Sequence, residues 1–196
     1  MQPIQQQAAE ASKPGQQLIP TNEIVALSES EKRQIDDALS HVPQASGASI
    51  DALKIIQQHR GWVSDGCLNA LAEHMQLTTA DLDGVATFYN LIFRQPVGKV
   101  VLHPCDGISC DLMGGKKIRQ CISKQLHIVP GQTSEDNQFT LIPLPCLGAC
   151  DKAPVMIASE QLFELMDIAS VPGVLQQLSL QSLQSQQDKS KESADA

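Results

Sequence analysis

Aromatic side chains are scarce in this chain: they form 3% of its 196 residues, with one Trp, Trp62, and one Tyr, Tyr89. Any core must therefore be built mainly from aliphatic groups. Positive charge is short as well, 14 Lys and Arg against 22 Asp and Glu, for a formal net charge of −8. That balance argues against nucleic acid or an anionic membrane surface as partner, because both select basic patches. Long hydrophobic runs are missing. Nothing approaches the roughly 18–20 apolar residues that cross a bilayer, and the runs at Val100–Leu102 and Val155–Ala158 suit short buried strands. The segment Met1–Pro20 is rich in Gln and lacks the basic start and apolar stretch of a secretory signal. The expectation is a cytosolic protein with no direct membrane insertion.

Two further absences concern chemistry. No G-x-G-x-x-G follows a strand, and Gly-Gly-Lys-Lys at 114–117 lacks the upstream glycine and the Ser/Thr of a P-loop. The chain thus shows no nucleotide site of its own. Its five histidines are scattered, and no acid–base constellation can be assembled from sequence neighbours. These gaps leave no evident place in the chain where a hydride could leave a substrate.

What is present is ordinary for a globular protein, 42% hydrophobic and 18% charged residues, enough for one domain or two small ones sharing a core. Residues 1–27 read as a disordered or extended segment and 184–196 as a polar disordered tail. Between them the pattern is first helical. Ser28 and Glu31 have capping-box spacing before a helix over 29–41 with Ile35, Ala38 and Leu39 inward. A second helix over 49–60 aligns Ile50, Leu53 and Ile56 and stops near Gly61. Ser64 or Asp65 caps a third, with Leu68, Leu71, Ala72 and Met75 inward; Thr78 and Asp81 open a fourth, with Leu82, Val85, Tyr89 and Ile92 aligned. Residues 28–95 therefore predict a small helical bundle.

The pattern changes at Pro96-Val97-Gly98. Strands are expected at Lys99–His103, Phe139–Leu144, Val155–Ala158 and Gln161–Met166, a helix from Gly114 to Ile128, and a last helix from about Pro172 through Leu175, Leu178 and Leu183. Residues 96–183 thus form an α/β layer, and the fold class is α+β.

Six cysteines in a reducing compartment point to metal, cluster or redox chemistry and away from disulfides. Cys105 and Cys110 are spaced C-x₄-C, and Cys146 and Cys150 C-x₃-C. Each pair follows an expected strand, in a loop that a rigid sheet can aim. Gly107 and Gly148 let each loop curl round a bulky centre and turn N–H groups toward sulfur. Four thiolates suit a [2Fe–2S] cluster, two on each iron. Structural zinc is the rival, although its cysteine knuckles usually have tighter spacing; redox thiols and simple packing also stay open. A Rieske centre fails, because His103 precedes Cys105 but no His lies near Cys146 or Cys150. Cys67 and Cys121 each sit alone among apolar neighbours and read as small core residues. If a helix starts at Gly114–Lys117, its positive end is placed to face the first pair.

The runs GWVSDG (61–66), GVATFYNLIFRQPVGK (84–99), PGQT (130–133), FTL (139–141) and CLGACDKAP (146–154), with the two cysteine pairs, resemble the family of NADH-quinone oxidoreductase E subunits over about residues 30–180. That family is the small [2Fe–2S] subunit of the electron-input arm of respiratory complex I. The resemblance is greatest to the bacterial form, and related subunits serve NAD-dependent formate dehydrogenases and hydrogenases. It implies a thioredoxin-like domain after the helical bundle and one [2Fe–2S] cluster on Cys105, Cys110, Cys146 and Cys150. It implies partners too: a flavin subunit that binds NADH and FMN, and an iron–sulfur-rich large subunit. The place implied is the peripheral arm of a complex on the cytoplasmic membrane, on its cytoplasmic side. Within the family this cluster lies beside the flavin, off the main electron chain. Two positions depart from the family pattern: Pro145 where Glu is usual, and Asn137 where Gly is usual. A non-redox Cys₄ zinc scaffold and a free-standing ferredoxin-like shuttle are the competing functions.

Overall fold

In the computed structural model the backbone is described for residues 25–192 and the side chains for residues 25–184. Residues 1–24, which hold most of the expected N-terminal segment, lie outside the described residues, as do 193–196.

Helix α1, Glu29–Ser40, begins with the expected capping box: the Ser28 hydroxyl accepts from the Glu31 N–H, and the Glu31 carboxylate accepts from the Ser28 N–H. A 3₁₀ turn, Ala45–Ala48, leads into α2, Ser49–Arg60, which Gly61 terminates in a left-handed conformation. Ser64, and not Asp65, caps α3, Asp65–Met75; Thr78 caps α4, Thr79–Phe88. Apolar residues three and four apart bring Ile35, Leu53, Ile56, Leu68, Leu71 and Leu82 into one core, each at most 1% exposed. Burying each such side chain contributes about 1.5–3 kcal/mol. The fourth helix is shorter than its periodicity suggests. Tyr89 leaves it in an extended conformation and is 42% exposed, while Ile92 reaches the core from the turn that follows.

One charge lies inside this region. Glu31 is 1% exposed, and besides capping α1 it takes two hydrogen bonds from Arg60, both 2.6 Å. Arg60 also donates to the Ala26 carbonyl, which ties the start of the described chain to the bundle.

Beyond Gly98 the chain forms a four-stranded mixed sheet, ordered β2-β1-β3-β4. Strand β1, Val100–Pro104, runs parallel to β2, Phe139–Leu141, with Leu102 opposite Leu141. It runs antiparallel to β3, Met156–Ala158, with Leu102 opposite Ala158. Strand β4, Gln161–Phe163, turns back on β3 through Ser159 and Glu160, both at positive φ. The parallel pair needs a crossover, and α6, Gly115–Leu126, supplies it, burying Ile118 and Ile122. Helix α7, Val171–Glu192, buries Val171, Leu175 and Leu178 in the same core.

Several boundaries need correction. A short helix, α5, Ile108–Leu112, occupies a stretch expected to be loop, so α6 starts after a break at Gly114. Strands β2 and β4 end earlier than expected, at Leu141 and Phe163. Helix α7 runs on to Glu192, through residues assigned to a disordered tail from 184. Gln, Lys and Glu are good helix formers, and extending an existing helix avoids the cost of a new nucleus. Asn137 has φ +53, a left-handed conformation that Asn tolerates better than most residues, so its turn survives without glycine.

Candidate cluster-binding site

Backbone hydrogen bonds bring the two cysteine pairs together. Where β1 ends, the Cys105 N–H donates to the Val155 carbonyl at 3.0 Å, and the Asp106 N–H to the Leu144 carbonyl at 3.1 Å. Cys105 also pairs with Leu144 as a short parallel extension of the β1–β2 ladder. The first pair is therefore stitched to the segment that leads into Cys146 and to the one that follows Cys150. Cys110 lies within α5, not in an open loop as expected. Cys146 has φ +47 and Gly148 φ +84, and Cys150 opens a 3₁₀ turn, Cys150–Lys152. A cis bond, Ala153–Pro154, then leads into β3.

Around the sulfurs, amide donors and apolar groups share the space. The Gly107 N–H points at Cys105 Sγ at 3.4 Å, as its place in the loop suggested. A Cβ on Gly107 would come within 3.4 Å of that sulfur and 3.3 Å of the Cys146 nitrogen, so glycine keeps the loops close. Burial works to raise the Cys105 thiol, but the amides of Gly107, Leu147 and Cys146, with the Cys110 thiol, hold it below the usual range. Burial pushes Cys110 up, against the Val155 amide, and the charges of Cys105 and Cys150 push the same way. The Cys146 thiol, with Sγ 3.7 Å from Cys150 Sγ, raises Cys150, while the Ser109 hydroxyl opposes it. Cys105, Cys110, Ala153 and Val155 form a small buried cluster, with Leu147 and Ala149 against it.

The four sulfurs thus act on one another. Four thiolates so placed repel unless cations hold them, which is the situation a metal centre relieves. Among the described residues no three His, Cys, Asp or Glu converge as ligands of a single ion do. The sulfurs come as two pairs, Cys105 with Cys110 and Cys146 with Cys150, the arrangement that two irons require, so the donor set fits a [2Fe–2S] cluster. Amide donors aimed at Cys105 suit the negative charge of sulfur bound to iron.

The remaining cysteines stand apart. Cys67 is 3% exposed in the helical core, where Ser64 and Arg60 donate to its sulfur. Cys121 is only half-buried, against the sheet core, with Gln125 as neighbour. His103 is buried, with Nδ1 2.9 Å from the Ile142 carbonyl.

Residue-by-residue reading missed four contributors. Ser109 faces Cys150. A Cβ on Gly115 would lie 2.8 Å from the Cys110 carbonyl oxygen, so glycine lets α6 abut α5. Arg119 and Asp111 form an ion pair beside the first cysteine pair. The doubled glycine at 114–115 was the only available signal; nothing in the spacing marks Arg119, Asp111 or Ser109.

A family model described as thioredoxin-like [2Fe–2S] ferredoxin matches residues 35–179. Among curated proteins, the E subunit of NADH-quinone oxidoreductase from Escherichia coli (strain K12) is 42% identical over 157 residues, 80% of this chain and 95% of that one. Its counterpart of the same name from Pseudomonas aeruginosa is 46% identical over 143 residues, 73% of this chain and 86% of that one. Among solved structures, an NAD+-reducing [NiFe]-hydrogenase in the air-oxidised state matches with a TM-score of 0.59 and 21% identity. The match covers 68% of this chain and 23% of the hydrogenase chain, and it speaks to the fold alone. On the family match and these two relatives, the chain belongs to the thioredoxin-like [2Fe–2S] ferredoxin family, whose members carry one such cluster, and stands among its NADH-quinone oxidoreductase E subunits.

Proposed function

We propose that Cys105, Cys110, Cys146 and Cys150 hold the [2Fe–2S] cluster, and that the chain is the electron-transfer subunit of the NADH-oxidising arm of a complex I. The observation that carries this reading is the pairing of four mutually interacting thiols from two neighbouring segments, one ending in α5, joined through Cys105 and Asp106 to Val155 and Leu144. When bound, such a cluster supplies a one-electron acceptor and donor. The chain's own groups do the rest: thiolates bind iron, the Gly107, Leu147 and Cys146 amides favour negative charge at Cys105, and Ala153 and Val155 bury the first pair while Cys146 and Cys150 stay exposed.

The electron is exchanged with FMN on a partner flavin subunit, which also binds NADH, and an iron–sulfur-rich large subunit completes the surroundings. Exposed apolar side chains beside the site support a covered face. Ile108 and Leu112 are 76% and 80% exposed on α5, next to Cys110, and Leu165 is 71% exposed just beyond β4. Among the described residues no helix is long and apolar enough to cross a membrane. The E-subunit relatives support a place in the peripheral arm of such a complex, on the cytoplasmic side. Coverage of 95% of the Escherichia coli protein at 42% identity favours complex I over the hydrogenase or formate dehydrogenase equivalent.

The test is anaerobic purification from cells that also make the partner subunits. Two irons and two sulfides per chain, an absorption band that bleaches on reduction, one unpaired spin by EPR and a co-purifying flavoprotein are expected. A colourless protein with one zinc per chain would overturn the reading.

A further inference from the structure

We infer that Arg119 is a positioning residue for the cluster, bracing both arms of the first cysteine pair, and that its charge, offset by Asp111, sets part of the reduction potential. This rests on the reading that Cys105 and Cys110 are ligands. Helix α6 presses its first turn, at Gly115, onto the Cys110 backbone. Four residues along the same helix, Arg119 Nη1 donates to the Cys105 carbonyl at 2.8 Å. Its Nη2 lies 2.7 Å from Oδ1 of Asp111, the residue after Cys110. One guanidinium therefore spans the two backbone segments that present the first pair.

The Cys105–Asp106 peptide is held at both ends. Its N–H is bound by Leu144 and its carbonyl by Arg119. Rotation of that peptide would move Cys105 relative to Cys110 and to the second loop, so Arg119 restrains the sulfur through the main chain. The Arg119 side chain is 16% exposed, which limits screening of its charge by solvent. Asp111 Oδ1 is buried and, although 2.7 Å from the guanidinium, has no aligned hydrogen-bond donor. The contact is therefore a charge pairing, with little directional hydrogen bonding. A lone positive charge here would favour the reduced, more negative cluster; Asp111 counters it.

The charges predict shifts of opposite sign. In the purified, cluster-loaded protein, Arg119→Gln moves the potential negative, since it removes a cation. Asp111→Asn moves it positive, since it leaves the guanidinium uncompensated. Each shift is expected to be about tenfold in the reduced-to-oxidised ratio at fixed ambient potential, ~59 mV for one electron. Arg119→Lys keeps the charge but loses the fork. It should hold the potential near that of the unaltered protein while releasing iron to a chelator faster.

The readouts are an EPR-monitored redox titration and the rate of iron loss, with far-UV circular dichroism reporting the fold. Should Arg119→Gln fail to retain its cluster while folded, Asp111→Asn still tests the charge and Arg119→Lys the brace. Unchanged potentials, or shifts of the same sign, with the cluster intact would overturn the inference. An unaltered protein without iron and sulfide would instead remove the reading beneath it.

Discussion

The helical region and the sheet region of this chain use their backbones in opposite ways. From Leu27 to Ile92 the helices bury a large aliphatic core, and among the described residues there Gln76 is the one non-glycine at positive φ. From Val100 onward the strands are only three to five residues long, and among the described residues six non-glycines adopt positive φ: His127, Asn137, Cys146, Ser159, Glu160 and Leu165. Each such conformation has a cost, and it persists where the surroundings over-determine it. The helical region is a reservoir of ordinary packing; the sheet region spends its irregular backbone on helix ends and turns, and at Cys146 on the site itself.

This contrast can be broken most sharply at the cysteines. Replacing any one of Cys105, Cys110, Cys146 or Cys150 by Ala should abolish or convert the cluster spectrum, with the helical core still folded by circular dichroism. Replacing Cys67 or Cys121 should leave the spectrum intact, and equal loss from all six would mean that the division of thiols is wrong. The reverse cut is Leu53→Ala, at a position fully buried in the helical core. It should cost about 2–5 kcal/mol in denaturant unfolding, with an unchanged spectrum below the transition.

Acid should also separate the two regions. The Arg60 hydrogen bonds hold the Glu31 carboxyl down at about 2, with burial opposing and the Ser28 bonds assisting. A depressed folded-state value means that the unfolded chain binds the proton first. The contribution is present at neutral pH, begins to fade near the ordinary carboxyl value of 4.5, and is gone once pH falls through about 2. It amounts to about 3 kcal/mol. Glu31→Gln should remove it at neutral pH and flatten the acid limb of a pH-dependent urea titration; an acid limb that remains unaltered would locate it elsewhere. The smallest effect is expected at Asn137→Gly. The φ of +53 is already open to Asn, so stability should change by less than about 0.5 kcal/mol, read as the denaturation midpoint.

What was legible in the sequence follows the same division. Capping boxes and apolar spacing act over three or four residues, so Ser28 with Glu31, Ser64 and Thr78 could be read as helix starts, and Ile35, Leu53 and Leu71 as core. The second role of Glu31 could not be read, because Arg60 lies 29 positions away. The cysteine pairs were visible by spacing and by the family resemblance. That Cys110 lies in a helix was not, since α5 has five residues, too few for a periodic pattern. Arg119 escaped for a related reason: its hydrogen bond goes to a main-chain carbonyl, and no residue type at 105 advertises a carbonyl that needs a donor.

The bond from the Cys105 N–H to the Val155 carbonyl also ties the first cysteine pair to the foot of β3. Its acceptor lies fifty residues further along the chain, where β3 packs against β1, and β2 lies on the other side of β1. The two cysteine pairs thus share one sheet, and a change that loosens β3 from β1 would be felt at Cys105 as well as in the sheet core.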